Sequence, residues 1–327
     1  MLENKSYNVE CPICNSSNNI VQLNRFNFQK NNCSFQTTLM FCKECKLGFL
    51  NPQPRKSFLV NYYNNLYWRN NKNELHSIEN FIIEKLFLSE LNIIKKYKNY
   101  IKNKDQIKIF DVGYGLGDFL HLLYNKGYDV YGIDSYNTAI NDIRKEINNN
   151  VKVASITDER TPFDSFNFDI IVLLHTLEHL DQPDIALKKI HKLLKLNGIL
   201  IIQVPNFDSY LFKIFKYKWA GLQLPMHIFH YTPHSLRLVL NKCNYHTIKI
   251  KYFSIRSNSA QWIATIFPFL ESTNLRRKIK NKFSMLICKT LYLLFFLIFI
   301  PIALLESLTK HGNTITIVAK KINENNS

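Results

Sequence analysis

The stretch Asp111-Val-Gly113-Tyr-Gly115-Leu-Gly117 decides the fold class of this chain. It follows the apolar run Ile107–Val112, which predicts a β-strand, and it precedes Asp118–Lys126, which predicts a helix. Glycines at such a junction let the backbone turn sharply and approach a ligand at the carboxyl end of the strand. The spacing differs from a dinucleotide fingerprint, because the third glycine of that motif would fall on Asp118, and no P-loop lysine follows. The motif therefore predicts a ligand without a pyrophosphate.

Strands and helices alternate on the carboxyl side of this motif. Such alternation predicts an α/β fold with a doubly wound parallel sheet and helices on both faces. Ahead of the motif, residues 56–104 carry apolar residues such as Phe81, Ile82 and Leu86 at helical spacing. The predicted strands are Tyr128–Ile133, Phe168–Leu174, Gly198–Val204, Tyr245–Ser254 and Asn313–Lys320, and the predicted helices are Ser135–Ile147, Asp184–Leu196 and Thr232–Cys243.

Asp134 ends the second of these strands, beside the glycine motif. A carboxylate at that point can accept hydrogen bonds from both hydroxyls of an adenosine ribose. The alternative is that Asp134 caps the amino terminus of the helix that follows.

With these motifs the sequence resembles the class I S-adenosylmethionine (SAM)-dependent methyltransferases, in a methyltransferase-23-like subgroup. The resemblance covers about residues 106–254, and Asn313–Lys320 resembles the last, antiparallel strand of the family's seven-stranded, Rossmann-like sheet. It implies SAM as cofactor. It also implies these contacts: Asp111, Gly113, Gly115 and Gly117 around the methionine end, Asp134 on the ribose, and Thr157 and Asp158 near the adenine.

Histidines form a second group of candidate residues. His175, Glu178 and His179 follow the strand Phe168–Leu174, so they are expected at the edge where ligands bind, and on a helix they would share one face. Their order, H-x-x-E-H, also occurs in a zinc-peptidase motif, but a strand end is the wrong context for that peptidase. A later segment, Met226-His227-Ile-Phe-His230-Tyr-Thr-Pro233, resembles one in the same subgroup, which includes relatives of ubiquinone-pathway O-methyltransferases.

Three roles for these histidines remain open. One of His175, His179 or His230 can act as the general base that deprotonates a hydroxyl nucleophile. The same residues with Glu178 can instead hold a divalent metal that acidifies the hydroxyl. A related small-RNA methyltransferase group places a metal on E-x-x-E-H, where this chain has His175 in place of the first glutamate. In the third case the side chains only form hydrogen bonds within a cap over the cavity.

Four cysteines form two C-x-x-C pairs, Cys11/Cys14 and Cys42/Cys45, separated by 27 residues. Two such turns complete a closed tetrahedral site, so the spacing predicts a structural zinc ion. Residues 1–54 then form a small module that resembles the zinc-ribbon leader of some bacterial methyltransferases of sugars or cell-surface glycans. The module is expected either to recruit substrate or to act as a stabilising lid.

An apolar segment near the carboxyl end follows the basic run Arg276–Lys282. Its uncharged part, Thr290–Leu305, spans roughly 24 Å as a helix, which is less than the roughly 30 Å of a bilayer core. A true span would also separate Asn313–Lys320 from its sheet. We therefore expect a re-entrant or interfacial anchor on anionic lipid, and the alternative is an apolar hairpin packed on protein.

Composition and the order of the motifs predict the partners, the location and the domain organisation of the chain. Lys+Arg 42 against Asp+Glu 25 gives a net charge of +17, which favours an anionic partner, although lysine is abundant throughout the chain. The first twenty residues hold no apolar run, and the paired cysteines fit a reducing cytosol. The predicted units are a module at 1–54, a helical linker or lid at 55–105, a SAM-binding core at 106–254 with a cap at 206–244, a membrane-associating insertion at 255–311, and the last strand and tail at 312–327.

The expected function is SAM-dependent methylation, directed at oxygen, at the cytoplasmic face of the membrane. The acceptor is expected to be a glycan, a lipid-linked sugar or an isoprenoid-like small molecule. An RNA methyltransferase is the second possibility, and the lack of an aromatic and basic RNA-reading motif argues against it. A membrane-tethered SAM-binding scaffold without catalysis is the third.

Overall fold

Two β-sheets organise the chain. The computed structural model describes residues 9–30, 33–63, 83–98, 106–136, 143, 145–271 and 281–322. The strands are β1 (Ile20–Lys30), β2 (Cys33–Cys42), β3 (Gly48–Asn51), β4 (Lys108–Val112), β5 (Asp129–Asp134), β6 (Val151–Val153), β7 (Phe168–Leu174), β8 (Leu194–Pro205), β9 (Phe229–His230), β10 (Tyr245–Lys251) and β11 (Thr314–Lys321). The helices are α1 (Lys56–Tyr63), α2 (Leu88–Lys98), α3 (Asp118–Asn125), α4 (Pro183–Leu193), α5 (Tyr210–Phe215), α6 (Pro233–Lys242), α7 (Ile255–Ile266) and α8 (Lys282–Leu308).

Within the part of the chain that the structure describes, the larger sheet has seven strands in the order β10-β11-β8-β7-β4-β5-β6. Strands β8 to β6 in this order are parallel, whereas β11 is antiparallel to both β8 and β10. Side chains alternate between two apolar clusters: Phe110 belongs to one and Ile109 to the other. The predicted doubly wound sheet and its final antiparallel strand are confirmed.

The helix predicted at Asp184–Leu196 is shorter in the structure. It ends at Leu193, and Leu194 already pairs with Phe168 at the start of β8. The Lys195 Nζ then lies 2.8 Å from a carboxylate oxygen of Asp169, which anchors the new strand. Most of the helix predicted at 135–147 lies outside the described residues, as do Phe81 and Ile82.

The smaller sheet joins the cysteine module to the cap. Its strand order is β1-β2-β3-β9, and β9 belongs to the predicted cap segment 206–244. The antiparallel register places Gly48 opposite His230 and Phe49 opposite Phe229. The module is therefore continuous with the cap through main-chain hydrogen bonds.

Helix α8 is long and apolar enough to cross a membrane. It packs on α7, where Trp262 stacks on Phe299 at 5.4 Å and Phe267 stacks on Phe295 at 4.4 Å between ring centroids. The rest of its surface stays exposed: Phe283 is 70% and Leu297 57% accessible. Residues 276–280 of the predicted basic run lie outside the described residues.

Candidate active site

A cavity of about 190 Å³ opens at the carboxyl ends of β4, β5 and β7. We call it the strand-end cavity, and this edge is where ligands bind in open α/β sheets. Its lining comes from the glycine motif, from the end of β5, from the loop after β6 and from the loop after β7. The lining residues include Gly113, Gly115, Asp134, Ser155, Ile156, Thr157, His175, Thr176 and His179.

The glycine motif shapes one wall of this cavity. Gly113 has φ +81°, and a Cβ atom there would overlap Oγ1 of Thr176. Gly115 has φ +56°, with open space where a Cβ would stand, and its N–H donates to Oδ2 of Asp134 at 2.9 Å. Only glycine combines this backbone conformation with so close an approach. Gly117, with φ +76°, precedes α3 and does not line the cavity.

Asp134 stands at the end of β5 and lines the cavity. Its other oxygen, Oδ1, accepts the N–H of Tyr136 at 2.9 Å, so the carboxylate is fixed by backbone donors on both sides. Burial raises its pKa, and these two donors oppose that rise. Asp111 lies beneath the glycine loop, where burial, with the charge of Asp134, raises its pKa to about 7. Its Oδ1 has no hydrogen-bond partner within the described residues.

The loop after β6 supplies the far end of the cavity. Thr157, which the sequence places near the adenine, lines this end together with Ser155 and Ile156. Asp158 does not reach the cavity, because its Oδ2 accepts the N–H of Ser155 at 2.9 Å and closes the turn. Ser155 is the polar residue here that sequence reasoning passed over.

The opposite end of the cavity is formed by the loop after β7, but not by a helix. His175 has φ +57°, and only a single 3₁₀ turn, Leu177–His179, follows, so the prediction that residues 175, 178 and 179 share a helix face was wrong. His175 still approaches Glu178, with Nδ1 3.4 Å from Oε1. Its Nε2 lies 2.9 Å from Oγ of Ser257 on α7, a partner without any local sequence signal.

Behind His175 lies a buried group that we call the histidine cluster: Glu178, His179, His227 and His230. His179 reaches the cavity, and its ring meets that of His227 at 4.6 Å in edge-on geometry. The Nδ1 of His179 lies 3.1 Å from the carbonyl oxygen of Met226. The Nδ1 of His227 lies 2.9 Å from the carbonyl oxygen of Gly221. In both rings Nδ1–H therefore donates to a backbone carbonyl, and the lone pair resides on Nε2.

Glu178 is buried in the middle of this cluster, with 1% of its surface exposed. Neither carboxylate oxygen has a hydrogen-bond partner among the described residues, and Oε1 lies 3.9 Å from Nε2 of His227. Burial lowers the pKa of His179 and lowers that of His227 well below its ordinary value, so both imidazoles are neutral at pH 7. Ligand atoms of Glu178, His179 and His227 all lie within 4.8 Å of one another, a donor set that fits a divalent cation.

His230 occupies a different place from the one predicted. It sits in β9, its side chain does not line the cavity, and its Nε2 is buried without a hydrogen-bond partner in the described structure. Burial lowers its pKa to about 3. The ring centroids of His227 and His230 are 6.3 Å apart, so His227 stands between His230 and His179. His227, three residues earlier in the same motif, is the residue that sequence reasoning left out.

The four cysteines come together at the other side of the cap. Sγ atoms are 3.4 Å apart in Cys11–Cys45 and 3.5 Å apart in Cys14–Cys42, and all four thiols are free of disulfides. The two turns match. Asn15 N–H donates to the carbonyl of Cys11 and Lys46 N–H to that of Cys42, each at 2.9 Å, with φ near +60° at both donors. All four Sγ atoms lie within 4.8 Å of one another, as a tetrahedral metal site requires.

Comparison with known proteins gives a consistent result. The family model described as a methyltransferase domain matches residues 86–250, about half of the chain. The ubiquinone biosynthesis O-methyltransferase of Pelagibacter ubique is 29% identical over 170 residues, which cover 49% of this chain and 69% of that protein. Its counterpart in Rickettsia bellii is 28% identical over 152 residues, or 42% and 63%. A solved SAM-dependent methyltransferase from Archaeoglobus fulgidus aligns at 21% identity with a TM-score of 0.44, over 74% of this chain and 99% of the other.

Proposed function

The chain belongs to this methyltransferase-domain family and is a SAM-dependent methyltransferase, and from that premise we propose that it methylates a hydroxyl oxygen of an acceptor held at a membrane surface. The acceptor class is an isoprenoid-like molecule, a lipid-linked sugar or a glycan. The observation that carries the proposal is the pair of neutral imidazoles, His179 and His227, beside the Glu178 carboxylate at one end of the strand-end cavity. The relatives named ubiquinone biosynthesis O-methyltransferase support an oxygen acceptor.

The cofactor end of the cavity is built by Asp134 and the glycine loop. SAM, when bound, supplies the methyl group. Asp134 would accept the ribose hydroxyls, and the open space at Gly115 would take the cofactor chain. Thr157 and Ser155 would lie beside the adenine. Because Asp134 is already fixed by Gly115 and Tyr136, it is oriented before the ligand arrives.

His179 is the proposed proton acceptor. The acceptor hydroxyl would lose its proton when it takes the methyl group that SAM supplies, and Nε2 of His179 would accept that proton. The lowered pKa keeps this nitrogen unprotonated at neutral pH, and the carbonyl of Met226 holds the ring in the required tautomer. Glu178 then stabilises the positive charge that the imidazole gains.

A divalent cation on the same residues is the second candidate for this step. It is favoured by the two unsatisfied oxygens of Glu178, which cost free energy in a buried site unless a cation compensates them. Glu178, His179 and His227 would hold the ion, with the carbonyls of Met226 and Gly221 orienting the rings. The ion would lower the pKa of the acceptor hydroxyl.

The module at the amino end is proposed to hold one structural zinc ion on Cys11, Cys14, Cys42 and Cys45. Cys11, Cys42 and Cys45 are buried in the same apolar cluster as Ile228 and Tyr231 of the cap. The ion would therefore stabilise the backbone segment that carries the histidine cluster, as well as the module itself.

Helix α8 is proposed to bind the cytoplasmic face of a membrane without crossing it. The strand before α7 and the strand after α8 pair with each other, Tyr245 opposite Lys321, so both flanks must stay on one side. The exposed apolar side of α8 is then available for insertion into the interface, and the basic run 276–282 for anionic headgroups.

Site-directed labelling tests this placement. Cysteines at Asn241, which is exposed, and at Ser327 should both react with an impermeant reagent from the same face of sealed vesicles. Ser259 would be unsuitable, because it is fully buried. Reaction from opposite faces would contradict the proposal. Recovery of all protein in the soluble fraction at low salt without detergent would also contradict membrane binding. It would favour an apolar hairpin in which α8 packs only on protein.

The acceptor itself is tested with labelled SAM and fractionated cell extract. Purified protein should transfer label to the lipid or glycan fraction, and the His179→Ala variant should not. Label confined to the RNA fraction would replace this proposal with an RNA methyltransferase. SAM binding without transfer to any fraction would favour a scaffold.

A further inference from the structure

A second, larger cavity of about 620 Å³ lies between the β1–β2 hairpin and the cap. It shares no lining residue with the strand-end cavity. We call it the basic groove. The hairpin contributes Leu23 and Phe41, and the turn after Cys45 contributes Lys46. The cap contributes Phe207, Asp208, Phe212, Lys213, Lys216 and Tyr217, with Thr232, Pro233, His234 and Arg237 at the start of α6. Its volume is in the range of cavities that bind small organic ligands.

The floor of the basic groove is aromatic. Phe207 stacks on Phe212 with ring centroids 4.1 Å apart, and Phe41 lies 6.2 Å from Phe207. The hydroxyl of Tyr217 donates to the carbonyl of Leu23 at 2.7 Å, which ties the cap to the hairpin across the groove. Such a surface offers ring faces and edges to a flat apolar group.

The rim of the groove is cationic. It carries Lys46, Lys213, Lys216 and Arg237 against one carboxylate, Asp208. Lys213 Nζ already contacts Asp208 at 2.8 Å. Within the described residues, Lys46, Lys216 and Arg237 form no ion pair, and all three are exposed. Lys216 Nζ also stands 5.9 Å from the centroid of the Phe212 ring, directly beside the floor.

We propose that the basic groove binds an organic phosphate that carries a flat apolar ring next to its phosphate group. The ring would lie against the half-buried Phe41 and Phe212, which pack on the buried Phe207. The phosphate would meet Lys216 and Arg237 at the rim. The charge of the groove favours an anionic ligand. Among the described residues Lys46, Lys216 and Arg237 have no carboxylate partner, and the Asp208 carboxylate is already paired with Lys213. The first turn of α6 adds its helix dipole in the same sense.

The groove also touches the histidine cluster through its floor. Phe207 lies 5.3 Å from the ring of His230, which in turn lies 6.3 Å from His227. A ligand on Phe212, which stacks on Phe207, should therefore move the Phe207 ring slightly and change the chemical environment of His230. This contact provides a readout that does not depend on methyl transfer.

The experiment uses 1-naphthyl phosphate as probe and the full chain saturated with S-adenosylhomocysteine, so that the strand-end cavity is filled. Fluorescence polarisation of the naphthyl group should show saturable binding. 1-Naphthol and inorganic phosphate should each compete at least about tenfold more weakly, because each supplies only one of the two contacts. The imidazole NMR signals of His230 should shift as the probe saturates.

Two double variants carry the test. Lys216→Ala with Arg237→Ala should weaken binding about tenfold or more, since two charge-assisted contacts are lost. Lys188→Ala with Lys192→Ala removes the same charge from α4, outside the groove, and should change affinity less than twofold. Circular dichroism of both variants checks that the fold is retained.

Three results would overturn the proposal. An equal loss in both double variants would show unspecific attraction to a basic protein. Naphthol or phosphate binding as tightly as the naphthyl ester would show that the rim or the floor is not used. Saturable probe binding that appears only when S-adenosylhomocysteine is left out would place the probe in the strand-end cavity.

Discussion

The two ends of the strand-end cavity are built in different ways. At the cofactor end, Gly113, Gly115 and Asp134 come from two neighbouring strands, and backbone N–H groups fix the geometry. At the other end, Glu178, His227 and Ser257 come from three distant segments, and side chains meet side chains. Within the described residues both oxygens of Asp134 accept backbone N–H groups, whereas neither oxygen of the buried Glu178 carboxylate accepts a hydrogen bond.

This difference indicates where each end is sensitive. An end made of backbone turns tolerates most distant changes, because its shape follows from the strand register and the glycines. An end made of side chains held by a cap depends on everything that positions the cap, including the cysteine module. Substitutions should therefore separate cofactor binding from turnover.

The largest expected effect is at His179. Its replacement by alanine should lower kcat by about 10² to 10⁴-fold, as loss of a general base does, while SAM affinity changes less than about twofold. Steady-state rates on the labelled fraction, with calorimetry for SAM, measure the two quantities. A loss below tenfold would show that the ring only supports the cap.

His227→Ala sharpens this result, since His227 does not line the cavity. If His179 acts alone as base, this change should cost much less than His179→Ala. If a cation is held by Glu178, His179 and His227, the two variants should be equally impaired, and activity should depend on an added divalent ion.

Asp134→Ala should have the next largest effect, now on the cofactor end. Loss of charge-assisted bonds worth about 1.5–3 kcal/mol corresponds to roughly 10 to 100-fold weaker SAM binding. Glu159→Ala is the matched control, because that carboxylate lies in the loop after β6, is exposed and does not line the cavity. Calorimetry in which both variants bind SAM equally well would remove Asp134 from the cofactor site.

The cysteine module should affect only the histidine end. Cys11→Ser with Cys14→Ser should reduce zinc from about one ion per chain to none, and turnover by about tenfold, while SAM affinity stays within about threefold. Elemental analysis and calorimetry provide both numbers. Zinc-free wild-type protein, purified without chelator, would contradict the assignment of the module.

The smallest effect concerns pH and His230. Its pKa is lowered to about 3 in the folded protein, whereas an unfolded histidine binds a proton below about pH 6.5. The unfolded state therefore holds more protons, and the free energy of unfolding should fall as pH drops below 6.5, by about 1.4 kcal/mol per pH unit for this residue. Urea unfolding of His230→Gln should show a shallower slope between pH 6.5 and 5. The exposed His246, changed in the same way, should leave the slope as it is.

Local patterns predicted the strands around the glycine loop and the place of Asp134 at the end of β5. The glycine run, the strand before it and the strand ending at Asp134 are short-range features, and their periodicity and turn chemistry are visible in the sequence. The predicted adenine contact of Asp158 failed for an equally local reason. Its carboxylate accepts the N–H of Ser155, three residues earlier, and closes that turn instead of facing the cavity.

The other end could not be predicted from such patterns. Which of His227 and His230 faces the cluster depends on the pairing of β9 with β3, and the partner of His230 there is Gly48, far away in sequence. The left-handed backbone of His175 and its contact with Ser257 depend in the same way on how α7 packs over the sheet. Tertiary pairing decided these positions.

The position of β11 has a consequence for biogenesis. In the described sheet β10 pairs only with β11, and β11 follows the apolar helix α8 along the chain. A ribosome therefore releases α8 before the strand that joins β10 to the sheet, and until then an unpaired edge and an apolar helix are exposed together. A membrane or a chaperone that covers the apolar side of α8 at this stage would therefore act during synthesis, before β11 completes the sheet. Its absence would lower the yield of folded enzyme and leave the rate per folded molecule unchanged.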